Sequence, residues 1–136
     1  MSDALHLTKV AFGCTTLDML IGRMAARADQ HYVHLTTRNR PKRLTELEGG
    51  SLYWIIKHRL VARSAILGFF DDPERKGTLI RVETRLMLVR PNPCRAHQGW
   101  RYLPASTAPE DLGWAGEVEG DLPETLSSDL LELGLI

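Results

Sequence analysis

Residues 102–136 contain no lysine and no arginine, and that absence is the most informative feature of the chain. This stretch holds eight acids, whereas residues 1–101 hold all seventeen Lys and Arg against nine acids, so a formally neutral protein divides into about +8 followed by −8. Such a division points to an anion-binding surface with its own built-in competitor, or to two oppositely charged faces folded together. A pI near 7.0 separates the chain from dedicated, strongly basic nucleic-acid binders. Long apolar runs are also missing: no eighteen consecutive apolar residues occur, so a membrane-spanning helix is not expected. The start, Met1-Ser2-Asp3-Ala4-Leu5-His6, has neither the basic region nor the apolar run of a signal peptide. Only two cysteines are present, Cys14 and Cys94, and they lie outside any paired motif. A disulfide scaffold is therefore not expected, and reduced thiols in a cytoplasmic protein are.

Catalytic and cofactor signatures are equally scarce. The chain has no Gly-x-Ser-x-Gly elbow, no phosphate-loop Gly-Lys-Ser/Thr and no dinucleotide glycine fingerprint. Cys94 and His97 have the spacing of a metal pair, but tetrahedral zinc takes three or four ligands and no second pair is visible. His31 and His34 face opposite ways in a strand, which opposes shared ligation. Neither a metal nor a cofactor is expected.

What remains is the content of one compact domain over 1–136, at 43% hydrophobic. Ala4 to Phe12 reads as a first strand. Thr15 or Thr16 can cap a helix whose stripe is Leu17, Leu20, Ile21, Met24 and Ala28. His31 to Thr37 is a second strand, and Pro41 suits the first turn of a short helix stopped at Gly49-Gly50. Three β-rich runs follow, Leu52 to Lys57, Val61 to Phe70 and Thr78 to Val89, with the polar connection 71–77 forming a hairpin through Pro73 and Gly77. In the third run Ile80, Val82, Thr84, Leu86 and Leu88 face one way and Arg81, Glu83 and Arg85 the other. Pro91, Pro93 and Pro104 then break regular structure, 105–120 reads as an irregular surface segment, and Asp121 or Thr125 opens a last helix. The acidic, leucine-rich segment 105–136 is expected to lie on or against the domain. The fold class is α+β, a mostly antiparallel curved sheet or small pseudobarrel with flanking helices; an open ferredoxin-like sandwich also fits the first strand-helix-strand unit.

Two segments combine glycine, aromatic and cation, a set suited to planar or anionic ligands. In Gly49-Gly50-Ser51-Leu52-Tyr53-Trp54-Ile55-Ile56-Lys57, strand geometry sends Leu52, Trp54 and Ile56 into the core and turns Tyr53 and Lys57 to the other face. In Gln98-Gly99-Trp100-Arg101-Tyr102-Leu103, Trp100 and Tyr102 share one side and Arg101 takes the other. The run Arg38-Asn39-Arg40-Pro41-Lys42-Arg43 adds four positive charges in six residues, and with Lys57, Arg59, Arg63, Arg81 and Arg85 it can extend into a patch that attracts phosphates.

These two motifs, with the Pro-Lys-Arg run and the leucine-rich acidic end, resemble the bacterial domain-of-unknown-function family 1489 over essentially the whole chain. The resemblance implies no activity and assigns no catalytic residue; where members look glycine-like, this chain has His58. The order of strands is also similar, at the level of fold alone, to small pseudobarrel RNA-binding domains of the PUA type. The leading expectation is a binding module for RNA, a nucleotide or another anionic ligand, without a membrane partner, through Arg38, Arg40, Lys42, Arg43, Tyr53, Lys57, Trp100, Arg101 and Tyr102, with Tyr53, Trp100 and Tyr102 lining one recess. An enzyme would instead gather Lys57, His58, His97 and Arg101 around a small anionic substrate, and an interaction domain would dock partners through Trp114 and the acidic end.

Overall fold

The computed structural model describes residues 5–26, 31–38, 40–74 and 76–115. Within them the elements are β1 (His6–Val10), α1 (Leu17–Ala25), β2 (Tyr32–Thr37), α2 (Leu44–Leu47), β3 (Ser51–Ile56), β4 (Arg59–Asp71), β5 (Thr78–Glu83), β6 (Met87–Pro93), β7 (Trp100–Leu103) and β8 (Asp111–Trp114). This is an α+β fold on one open mixed sheet, with the path β2-β5-β4-β3-β1-β7 and with β6 joining β4 to β8. β1 and β3 run parallel, and the other pairs are antiparallel.

β4, at 13 residues, is the spine of the sheet. One of its edges carries β3, and the other carries β5 and then β6. Register shifts at Ile66/Gly68 and Leu60/Ala62 bend it, because an extra residue on one strand increases local twist and curvature. The run Thr78 to Val89 is accordingly two strands and not one: the chain turns at residues 84–86 and resumes as β6. Thr84, Leu86 and Leu88 nevertheless stay buried, as their alternation with Ile80 and Val82 requires.

The Thr16 hydroxyl caps α1 by accepting from the Met19 amide at 3.2 Å. Leu17, Leu20 and Met24 then turn inward; Ala28 lies outside the described residues. They meet Leu5, Leu7, Leu47, Leu52, Trp54, Ile56, Ile80, Val82, Leu86 and Leu88 in the main core, on one face of the sheet. A smaller apolar cluster of Tyr53, Ile55, Leu60 and Val89, flanked by Val10, Cys94, Leu103 and Ala108, covers the opposite face. β3 is thus sandwiched, and all six of its residues are buried, the pattern of a strand covered on both sides.

Lys57 and His58, at φ 49° and 63°, form the two-residue turn between β3 and β4. Positive φ at both central positions is what such a hairpin requires, and glycine or asparagine adopts it with least strain. Lys57 therefore sits exposed at a hairpin tip and does not continue the Tyr53 face as the alternation suggested. The connection after Asp71 does close a hairpin, with Asp71 opposite Thr78. In place of a wholly irregular segment after Pro104 there is a single 3-10 turn, Ala105–Thr107, followed by β8 on the edge of β6. The helix expected from Asp121 or Thr125 lies outside the described residues. No helix among the described residues is long and apolar enough to cross a membrane.

Candidate functional site

Strand register decides which of the chemically interesting side chains can meet. Residues paired directly across neighbouring strands point to the same side of a sheet. Leu7 is opposite Leu52 and Tyr102, and Lys9 is opposite Trp54 and Trp100. Trp54, Trp100 and Tyr102 consequently share the side of the main core, against which Trp100 and Tyr102 are packed. Thr8 is opposite Tyr53 and Arg101, which places those two on the other side. The recess expected to unite Tyr53 with Trp100 and Tyr102 is not formed, because the sheet itself stands between them.

Two separate surfaces result. On the first, Trp100 and Tyr102 meet edge to face at 4.9 Å. The Tyr102 hydroxyl accepts hydrogen bonds from the backbone amides of Lys42 at 3.1 Å and Arg43 at 3.2 Å. The Arg43 guanidinium lies over the same ring, 5.3 Å from its centre. The basic run is thus fastened to an aromatic pair about sixty residues later in sequence. Arg43 also pairs with Glu46, and Arg40 with Asp71 at 2.8 Å, both in solvent; Glu46 holds the Arg43 guanidinium charged still more firmly, and Arg43 lowers the Glu46 carboxyl below its ordinary value. Arg38 and Lys42 are exposed. Lys9, half-buried beside Trp100, has its ammonium pKa pushed down by burial.

The rest of the imagined basic patch is dispersed. Arg81 is stacked between Tyr32 and Phe70, 4.4 Å from each ring centre, and its Nε donates to His34 Nε2 at 3.0 Å. Arg85 lies 4.0 Å over Trp114, and Arg63 belongs to the second surface.

That second surface is a recess of about 340 Å³ lined by His6, Gly49, Ser51, Tyr53, Arg63, Asp111 and the chain at Ala105, Ala108 and Pro109. Arg63 donates from Nε and Nη2 to the two Asp111 oxygens at 2.8 and 2.7 Å, and from Nη1 to Ser51 Oγ at 2.8 Å. The Ser51 amide donates to His6 Nδ1 at 2.9 Å. Burial, and then the Arg63 charge, lower the His6 pKa. Burial raises that of Tyr53, while the Asp111 carboxylate keeps Arg63 firmly charged. Sequence reasoning missed this recess. Alternation could have joined Ser51 to Tyr53, but nothing local signals that Asp111 reaches Arg63.

Elsewhere on the Tyr53 side, His97 Nε2 lies 2.7 Å from Thr8 Oγ1, and burial followed by the Arg101 and Lys9 charges lowers its pKa. The Cys94 thiol is pushed up by burial, and His58 Nδ1 accepts from the Ala96 amide at 3.3 Å. Lys57 and His58 form the hairpin tip, which touches the chain at Cys94 and Ala96, while His97 stands at the Thr8 contact within reach of the Arg101 charge. Among the described residues, no group of three or more His, Cys, Asp or Glu is placed to hold a metal ion.

A family model described as "Protein of unknown function (DUF1489)" matches residues 7–136. No curated protein and no solved structure matches the chain.

Proposed function

We propose, for a chain that belongs to the DUF1489 family of proteins of unknown function and takes no activity from it, a role as a binding module for single-stranded RNA. The reading rests on one observation: the Tyr102 hydroxyl holds the Lys42 and Arg43 amides, so cations and stackable rings lie side by side on one surface. Arg38 and Lys42 supply phosphate contacts, and Trp100 and Tyr102 supply faces or edges for a base. Arg40 and Arg43, already paired with Asp71 and Glu46, contribute less, because a phosphate must displace those carboxylates.

Fluorescence anisotropy with a labelled single-stranded RNA tests this. Affinity is expected to fall steeply as salt rises, since each neutralised phosphate releases counterions. Lys42→Ala and Arg38→Ala are each expected to weaken binding several-fold and flatten the salt dependence, with the circular dichroism spectrum unchanged. Salt-insensitive binding, or none, overturns the proposal. Binding of a mononucleotide as tight as that of the oligomer replaces RNA with a nucleotide as the ligand.

A further inference from the structure

We propose that the recess on the Tyr53 side of the sheet is a second binding site, for a small organic carboxylate, and that Asp111 is the chain's own carboxylate lodged in part of it. The recess, at about 340 Å³, falls within the range of roughly 300–1,000 Å³ usual for small-molecule sites. Its polar side chains offer more donors than the protein uses. Arg63 spends one N–H on Ser51 and two on Asp111, which leaves two of the five that a guanidinium carries. The Ser51 amide occupies His6 Nδ1, so the neutral ring carries its proton on Nε2 as a further donor.

Tyr53 supplies the independent pointer. It is only 3% exposed, yet it lines the recess, and its hydroxyl hydrogen-bonds to no described residue. The hydroxyl is not among the buried side-chain atoms left without a partner, so it reaches the open space of the recess, where it can donate to a ligand. Donors from Arg63, His6 and Tyr53 converging on one space call for an oxyanion. Ala105, Ala108 and Pro109 give that space an apolar wall for the ligand's carbon body.

The fork that Asp111 makes with Arg63 shows that a carboxylate suits the guanidinium in the plane of the ring of donors. Asp111 is well placed to yield. Its side chain is 43% exposed, against 22% for Arg63, and it heads β8, a four-residue strand paired to β6. A ligand carboxylate can share or take over the fork while Asp111 turns to water. This site is independent of the RNA surface, since the sheet separates Tyr53 from Tyr102.

The test is an NMR titration of the full chain at constant ionic strength, following the His6 ring protons, with acetate as the probe and inorganic phosphate as the comparison. Asp111→Asn removes the resident charge and keeps the side-chain shape, and is expected to tighten acetate binding about tenfold, the scale of one charge-assisted hydrogen bond regained. Adding Arg63→Gln to that variant is expected to abolish the shifts. In the otherwise unaltered chain Tyr53→Phe is expected to weaken acetate binding several-fold, a measurement that stands even where Asp111→Asn does not fold. Acetate binding no tighter in Asp111→Asn, or surviving Arg63→Gln, overturns the proposal, as does tighter binding of phosphate than of acetate. RNA affinity unchanged in Asp111→Asn, beside altered acetate affinity, separates the fate of this site from that of the RNA surface.

Discussion

Tyr53 and Trp54 are neighbours in sequence and equally buried, at 3% and 4% exposure, but they face opposite sides of β3 and meet opposite fates. Trp54 enters the main core and donates its indole N–H to Ser64 Oγ at 3.0 Å, a buried hydrogen bond across the β3–β4 pair. Tyr53 enters the smaller cluster, meets His6 edge-on at 5.1 Å, and brings a hydroxyl that no described residue receives. Burial alone does not separate a structural aromatic from a functional one. What separates them is where the polar end of the ring goes: the indole N–H is enclosed and paired, as interiors require, whereas the phenol is not a buried orphan and opens on the recess.

The largest effect that can test this contrast is on the core side. Trp54→Ala is expected to cost about 3–5 kcal/mol, the range for emptying a large aromatic site, and it also strips the buried Ser64 hydroxyl of its donor. Urea denaturation monitored by circular dichroism measures the loss. A cost below about 1 kcal/mol means that the two faces of β3 are not energetically distinct and removes the comparison.

The alternation within each strand was legible in the sequence. Leu52, Trp54 and Ile56 inward, Trp100 and Tyr102 together with Arg101 opposed, and the hairpin after Asp71 all follow from period-two geometry, and the structure has each of them. Parity between strands was not legible. β1 pairs parallel to β3 and antiparallel to β7, and a shift of one residue in either ladder moves every side chain to the other face; local sequence does not encode that register. The same limit hid the recess, since Arg63 and Asp111 lie 48 residues apart and β8 follows a proline-rich stretch that reads as loop. The glycine of the first motif was legible in kind and misread in purpose. A Cβ on Gly50 would fall 2.1 Å from the carbonyl oxygen of Leu5, the residue before β1, so the close approach it permits is to the chain's own backbone and not to a ligand.

Acid sharpens the comparison from the other face. Burial, and then the Arg63 charge, lower the His6 pKa, so the folded ring gives up its proton more readily than the unfolded one, whose ordinary value is 6.5. Between the folded value and 6.5 the unfolded chain binds more protons, and stability therefore rises with pH through that window and falls on acidification. The groups facing His6 are Arg63, Asp111 and Tyr53. His97, similarly lowered, adds to the same acid limb from the Thr8 contact. His6→Asn, whose side-chain oxygen can replace Nδ1 as acceptor for the Ser51 amide, is expected to flatten the dependence of Tm on pH below 6.5 without removing it. An unchanged acid limb assigns the whole effect to other groups and leaves the recess electrically inert.

The smallest expected effect is the most discriminating. Tyr53→Phe deletes one oxygen from a residue as buried as Trp54, and ordinary bookkeeping of a buried tyrosine charges about 1 kcal/mol or more for its lost hydrogen bond. Here no described residue receives that bond, so the change in unfolding free energy is expected to stay within about 0.5 kcal/mol, the ring's contacts with Ile55, Leu60 and Val89 being retained. A loss well above that means that the hydroxyl does structural work in the free protein, and the donor count that makes the recess a ligand site then falls by one. A null effect on folding, beside weaker acetate binding in the same variant, means that the oxygen is held in place for something other than the fold.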